Sequence, residues 1–367
     1  MTDVVFIQAK FPNNENSFIA LVNRWGLYQT LFKTYTNGSE FKLFSINRIP
    51  EYRQFLLSKQ SINEFIMDGA NSFQRIKFAR KKILNNPNQI ILICGDNQMA
   101  FLTGLYLKYS TCGKVQIQTQ FHGDTYSFFA NKGFFGILRV IFSRLAIKSS
   151  NSIRVVSEFQ IKEIEKFTKK SRQKFIIAPI PIDFSRIPKK RKDQNIDVLV
   201  VGRLHHERGI NEMVVILKKL KLKYPSLKMA IVGDGPLSKY AEKLLIDVNK
   251  NNDIIFHGFL NPGQLLDIYA RSKVLLSTAP SEGYGLTLRE AALSSIFVVA
   301  RDSKGVREAQ EDFPNQILSF ESTEKALELI EKAWANVDKE IDYSKQEMQK
   351  EKDLMALYKL FSSWVND

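Results

Sequence analysis

DVLVVGRLHHERGINEMVVILKKLKLKYPSLKMAIVG, residues 197–233, runs from an apolar stretch of strand length through a polar turn with two glycines into a long segment of helical period, and ends on a second apolar stretch. DVLVVG (197–202) and KMAIVG (228–233) are too continuously apolar for strands with one wet face, so they belong in a parallel sheet covered on both sides. Strand, helix and strand in that order make a βαβ unit, and the class is α/β. The alternation continues through DIIFHG (253–258), KVLLS (273–277) and IFVVA (296–300). Upstream, VVFIQ (4–8), FKLFSI (41–46), IILIC (90–94), VQIQTQ (115–120) and SIRVV (152–156) read as strands of a second series. SRIPKKRKDQN (185–195), a proline and a charge run between the two series, reads as a linker. Two Rossmann-like domains are expected, over 1–188 and 189–343. Helices near 323–336 and 344–366 follow with no strand between them, the last packing back on the first domain. Ser157 opens a helix in which Gln160 completes a capping box and Ile161, Ile164 and Phe167 form the buried face. In SFQRIKFARKKIL (72–84), Phe73, Ile76 and Ile83 have the spacing of a buried face among five basic residues. GFFGILRVIFSRLAIK (133–148) is apolar nearly all round, fitting either a core helix or one that is partly exposed.

The chain has 367 residues, 44% of them hydrophobic, enough for two cores. Its two cysteines, Cys94 and Cys112, lack C-x-x-C spacing, which excludes a disulfide framework and a thiolate zinc site and suits a reducing compartment. The N-terminus has no signal-peptide pattern and no run of eighteen apolar residues occurs, so a cytoplasmic protein is expected, neither secreted nor membrane-spanning. Net charge is +15, with 30 basic against 14 acidic residues in 1–200 and 23 against 24 in 201–367. The whole excess is N-terminal. Such a half suits nucleic acid, an anionic membrane surface or an acidic substrate, or follows from genomic base composition. No zinc finger, helix-turn-helix pattern or basic-aromatic sheet signature supports nucleic acid as the partner.

Two constellations carry chemistry. In SEGYGLTLREAALSS (281–295), Glu282 and Glu290 stand eight positions apart around Gly283, Tyr284 and Gly285, with a helix opening at Leu286 and Thr287. The glycines let a ligand approach the backbone, and the helix start offers free N–H groups and a positive dipole end to a phosphate. Glu290 is placed to accept from vicinal ribose hydroxyls, and Glu282 to face a sugar. Taken alone, the segment also fits a surface loop with a carboxylate beside a helix N-terminus. In VGRLHHERGI (201–210), Gly202 ends a strand, and Arg203 and Arg208 flank the turn at its carboxyl end, where open α/β sheets bind ligands. Guanidinium groups match phosphate oxygens and stay charged. Taken alone, they also fit two solvated arginines beside Glu207. His205, His206 and His257 have no metal-ligand spacing with one another or with a cysteine.

G-R-L-x-x-E-R-G followed about eighty residues later by E-G-Y-G-L-T-L-R-E-A resembles the retaining glycosyltransferases called glycosyl transferases group 1, or family four. VGDGPL (232–237) and FHGFL (256–260) resemble that family's intervening motifs, in order, while QFHGD (120–124) resembles its His-Gly motif and VVSEFQ (155–160) its later strand-Ser-helix junction. The likeness is strongest over 197–310, weaker over 115–183 and poor over 1–110. It implies the GT-B architecture, two Rossmann-like parallel-sheet domains facing a central cleft. It implies that Gly202, Arg203 and Arg208 hold the diphosphate of a nucleotide sugar and Glu290 its ribose. Glu282 with Gly283, Tyr284, Gly285, Leu286 and Thr287 would hold the sugar and phosphates, and Leu260 would border the base. His122 is implied as the catalytic-site histidine that reaches the donor sugar. Three departures stand out: Arg208 replaces the family's usual lysine, AKFPNNENSF (9–18) lacks a glycine-rich loop, and PIPID (179–183) stands where Pro-Asn-Gly is usual.

The implied reaction moves a hexose from a UDP- or GDP-sugar to a hydroxyl of a glycan or lipid-linked acceptor, with retention. Its setting would be cell-surface polysaccharide, lipopolysaccharide or glycolipid synthesis, with a peripheral place on the cytoplasmic membrane face. A double displacement needs a carboxylate near the anomeric carbon, for which the sequence offers no unambiguous candidate beyond Glu282; the resemblance implies instead the family's front-face departure and attack. No D-x-D signature ends a strand, and the two arginines with the helix start supply positive charge, so no metal and no cofactor are expected. A sugar-nucleotide epimerase or a phosphorylase fits the same fold.

Overall fold

The computed structural model describes residues 2–8, 15–36, 41–46, 63–64, 71–95, 98–121, 133–168, 175–184, 187, 194–337 and 344–365. The chain divides into two compact units, Met1–Pro181 with Lys352–Asp367, and Ile182–Glu351. The division falls ahead of the proline and charge run read as the linker, most of which (188–193) lies outside the described residues.

The first unit runs β1 (Thr2–Gln8), α1 (Glu15–Tyr35), β2 (Lys42–Ser45), β3 (Asn63–Glu64), α2 (Ser72–Asn85), β4 (Gln89–Cys94), α3 (Gln98–Ser110), β5 (Val115–Phe121), α4 (Gly133–Ser149), β6 (Ser152–Val155), α5 (Glu158–Thr168) and β7 (Phe175–Ile177). All the pairings are parallel, in the order β3-β2-β1-β4-β5-β6-β7. Alternate side chains go to opposite faces and both faces are buried. Val5, Ile7, Ile90, Leu92 and Val115 enter one core, whereas Val4, Ile91 and Ile93 enter another. That second core is closed by the end of the C-terminal helix, α12 (Ser344–Val365), through Leu357, Leu360, Phe361 and Trp364. Trp364 lies edge-on to Phe6 at 5.6 Å and its indole N–H donates to Gln118 Oε1 at 2.9 Å, so the buried ring has its polar partner.

Two local expectations change in this unit. In α2, Ile83 and Ala79 are buried, but Arg75 is buried too, whereas Phe73 is 75% exposed. The inward face is thus rotated toward 75, 79 and 83, an i, i+4, i+8 set, and Phe73 falls outside it. Ser157 does cap α5, its Oγ accepting from the Gln160 N–H at 3.3 Å, but the Gln160 side chain accepts from Val156 N–H at 2.8 Å, one residue before the cap.

The second unit runs β8 (Ile196–Val201), α6 (Ile210–Lys223), β9 (Met229–Val232), α7 (Ser238–Leu245), β10 (Ile254–Gly258), α8 (Pro262–Ala270), β11 (Ser272–Ser277), α9 (Leu286–Leu293), β12 (Phe297–Arg301), α10 (Lys304–Asp312), β13 (Ile317–Phe320) and α11 (Thr323–Trp334). Its parallel order is β10-β9-β8-β11-β12-β13. Val198, Val200, Ile231 and Leu276 face one core, and Leu199, Val232, Leu275 and Val298 the other. The order reverses between β8 and β11. Neighbouring strands whose connections leave in opposite directions open a crevice at their carboxyl ends, and the two sequence constellations follow these two strands.

Candidate functional site

The turn after β8 is shaped by glycines that other backbone demands. Gly233, with φ of +126°, lies so close to Gly202 that a Cβ there would stand 2.0 Å from the Gly202 carbonyl oxygen. Gly202 N–H donates to Val232 O at 3.0 Å and Gly233 N–H to Gly258 O at 2.7 Å, which stacks the ends of β8, β9 and β10. Leu204 N–H donates to Asp234 O, and Leu237 N–H to Leu204 O, each at 3.0 Å. VGDGPL thus braces the turn that carries both arginines.

Gly209 caps α6 with φ of +65°, and a Cβ on it would stand 2.0 Å from Thr278 O. Thr278, one residue past β11, donates its hydroxyl to Arg208 O at 3.0 Å. The start of α6 is thereby pressed onto the end of β11, which carries Arg208 toward the 281–285 loop. Its Nη1 donates to Glu282 Oε2 at 2.7 Å, with side chains 23% and 11% exposed. Arg208 Nε is buried and has no hydrogen-bond partner among the described residues. A buried N–H left over beside a paired carboxylate is an open donor.

Arg203 sits differently. Its side chain is 76% exposed and lies 3.2 Å from Glu207 Oε1, while His205 Nδ1 holds the other oxygen of Glu207. Burial pushes the Glu207 carboxyl up, but its backbone hydrogen bond, the His205 hydrogen bond and the His205 and Arg203 charges outweigh that and hold it below the usual range.

Helix α9 opens after Gly285, φ +67°, which has no side chain to cap the helix's first N–H groups. Tyr284 is 7% exposed, and Gly283, Leu286, Thr287 and Glu290 are half-buried. Glu290 Oε2 accepts from the Tyr269 hydroxyl at 3.4 Å. Burial first, and then the Glu290 charge and hydrogen bond, raise the Tyr269 phenol well above its ordinary value, so at neutral pH it stays a donor. Leu260 is half-buried against the core that includes Leu199 and Val232. Burial, and then the Arg271 charge, lower His257.

The structure therefore brings Arg208, Glu282, Thr278 and the start of α9 together. Arg203 and Glu290 flank them on the same two connections. His122 lies outside the described residues. Among the described residues, no three His, Cys, Asp or Glu side chains are grouped to hold a metal ion, and no helix is long and apolar enough to cross a membrane. Sequence reasoning missed Tyr269 and Arg289. Tyr269, at the end of α8, has the spacing of a core residue. Arg289 had a legible signal, since it shares a helical face with Ala292 and Leu293.

Residues 182–350 match the family model for glycosyl transferases group 1. The gpi3 subunit of phosphatidylinositol N-acetylglucosaminyltransferase from Schizosaccharomyces pombe is 24% identical over 148 residues, 40% of this chain and 32% of that protein. YqgM of Bacillus subtilis, an uncharacterized glycosyltransferase, is 24% identical over 198 residues, 53% of this chain and 54% of that one. The chain thus spans between a third and about half the length of these relatives. HepE from Anabaena, solved in complex with UDP-glucose, superposes with a TM-score of 0.72 at 12% identity, covering 98% of each chain. At that identity the likeness is one of fold, the two-unit GT-B architecture.

Proposed function

We propose that this chain, whose residues 182–350 match the glycosyl transferases group 1 model, is a retaining glycosyltransferase acting on a nucleoside-diphosphate sugar. The observation that carries the reading is Arg208. Arriving from the turn after β8, it pairs with Glu282 from the loop after β11 and keeps a buried Nε–H without an acceptor among the described residues. A diphosphate entering the switch point gives that N–H its acceptor. It also gives the uncapped N–H groups of α9 an anion, and Arg203 leaves a weak, exposed pair with Glu207 to join it.

In this reading Gly202, Arg203 and Arg208 take the diphosphate. Glu282 and the 283–287 backbone take the sugar and phosphates, Glu290 the ribose and Leu260 the rim of the base. His122 reaches the donor sugar. Two guanidinium groups and a helix N-terminus offset the charge of the departing nucleotide diphosphate, so no metal is needed. The sugar passes to a hydroxyl of a glycan or lipid-linked acceptor on the face the diphosphate leaves, and the leaving phosphate receives the acceptor's proton. Enzymes in glycolipid or cell-surface polysaccharide synthesis work at a membrane surface, which suits the basic first half of the sequence.

Thermal unfolding with UDP-glucose, UDP-N-acetylglucosamine and GDP-mannose tests the donor. A donor present at a hundred times its Kd stabilises the native state by about 2.7 kcal/mol. No shift with any of them at millimolar concentration rejects the reading. Turnover is expected to survive EDTA. Loss on chelation, restored by magnesium or manganese, would show that the arginines do not suffice. Donor altered without an acceptor would point to an epimerase instead.

A further inference from the structure

Arg289, one residue before Glu290, is 1% exposed. Its Nη2 donates to Asp312 Oδ2 at 2.7 Å, its Nη1 donates to the carbonyl oxygen of Tyr284, and its guanidinium carbon lies 4.1 Å from the centre of the Tyr284 ring. A buried ion pair is a weak source of stability, because desolvating both charges offsets their attraction. What distinguishes this one is its third partner, a backbone carbonyl in the middle of the 281–285 loop.

The same loop is gripped at a second point. Gly305, in the first turn of α10, approaches it so closely that a Cβ would stand 2.1 Å from Glu282 O and 2.5 Å from Gly283 O. Asp312 is the last residue of α10. Helix α10 therefore touches the loop directly at its start, and through Arg289 at its end. The first contact falls on the backbone of Glu282 itself, and the second immediately precedes Gly285, the left-handed turn that launches α9.

We propose that Arg289 is a positioning residue of the donor site: it fixes the Tyr284 carbonyl and ring so that Glu282 and the first N–H groups of α9 are aimed at the donor's sugar and phosphates. The proposal rests on the donor reading above. It separates two halves of the ligand. Glu290 sits on the helix itself and is held by Tyr269, so its aim does not pass through the loop. Loosening the loop weakens contacts to sugar and diphosphate and leaves those to base and ribose.

The test uses the full chain and two variants, Arg289→Lys, which keeps the charge but loses the forked donors and the stacking, and Asp312→Asn, the milder exchange, which carries the test where the lysine variant does not fold. Calorimetric affinity for the best of the three donors named above is compared with affinity for its nucleoside monophosphate, alongside kcat and KM. A misplacement of about an ångström in a loop of this kind is expected to cost roughly tenfold or more in donor affinity and in kcat, with monophosphate affinity held within about twofold. Equal losses for donor and monophosphate, or no loss in a folded variant, make Arg289 a residue of the fold alone and overturn the proposal. If the wild-type protein binds none of the donors, it is the donor reading that fails, and this inference falls with it.

Discussion

Arg208 and Glu282 hold each other at 2.7 Å across 74 residues of sequence, so either one stripped of the other keeps a part-buried charge without its partner. That makes them poor reporters of binding alone. Arg203 and Glu290 are better ones, because Arg203 is mostly in water and Glu290 is half-buried and accepts a long hydrogen bond, 3.4 Å, from the neutral Tyr269 hydroxyl. Glu290→Ala and Arg203→Ala are each expected to weaken donor binding by roughly 1–3 kcal/mol, the scale of charge-assisted hydrogen bonds, without loss of fold. Isothermal calorimetry reads this directly, and unchanged affinity in both variants removes the donor assignment. Spacing alone left Arg203, Arg208, Glu282 and Glu290 open between a ligand site and an ordinary turn, and it was the order of the motifs, resembling one family, that singled them out. Tyr269 and Arg289 were not singled out. A tyrosine among apolar neighbours signals packing and only geometry shows its hydroxyl meeting Glu290, while an arginine is ordinarily read as solvated.

Helix α6 and strand β11 are joined at Gly209, and this contact decides whether Arg208 reaches the loop. A methyl group at 209 meets the Thr278 carbonyl and forces an L residue into a left-handed conformation. Gly209→Ala is expected to cost about 1–3 kcal/mol of stability from strain, and donor affinity is expected to fall further than in a control variant equally destabilised in the other unit. Urea unfolding and calorimetry on the same samples separate the two effects. Strands with continuous apolar runs, such as β8, β9, β11 and β12, were readable at this scale because burial on both faces leaves no other pattern. β3, β7 and β13 were missed. They span two, three and four residues, and each is an outermost strand of its sheet, where a short apolar run is least continuous. The inward face of α2 was misread at its start because Phe73 outranks Arg75 on hydrophobicity, and tertiary packing chose the arginine.

In the whole molecule, the C-terminal helix returns to the first unit, where Trp364 is 0% exposed, and Trp364→Ala in the full chain is expected to cost about 3–5 kcal/mol of that unit's stability in urea unfolding. The first unit also carries the charge excess, and its helices show where that charge can act. α3 packs against both α2 and α4. α2 exposes Phe73 with Lys77, Lys81 and Lys82, α3 exposes Met99, Tyr106 and Tyr109, and α4 exposes Ile137, Ile141 and Leu145 at four-residue spacing. The apolar segment 133–148 is thus neither wholly core nor wholly surface, with Ala146 and Ile147 buried and a stripe left in water. Apolar side chains among lysines fit an anionic membrane surface better than a base-composition bias, which has no reason to be neutral over 201–367. Each lysine near an anionic leaflet contributes about 1 kcal/mol, and the attraction fades as salt shortens the Debye length. Arg80 is left out of the test because its Nε donates to Ser110 O at 3.1 Å and so holds α2 to the end of α3. The triple variant Lys77→Gln, Lys81→Gln, Lys82→Gln is therefore expected to keep its fold and its donor affinity. In co-sedimentation with phosphatidylglycerol-containing vesicles at low salt it is expected to bind roughly tenfold or more weakly than wild type, and high salt is expected to release the wild type as well. Ile141→Gln, which removes the middle of the stripe, is expected to weaken binding at both salt concentrations. Equal binding of wild type to neutral and anionic vesicles, or no difference between wild type and the triple variant, rejects electrostatic docking through this face.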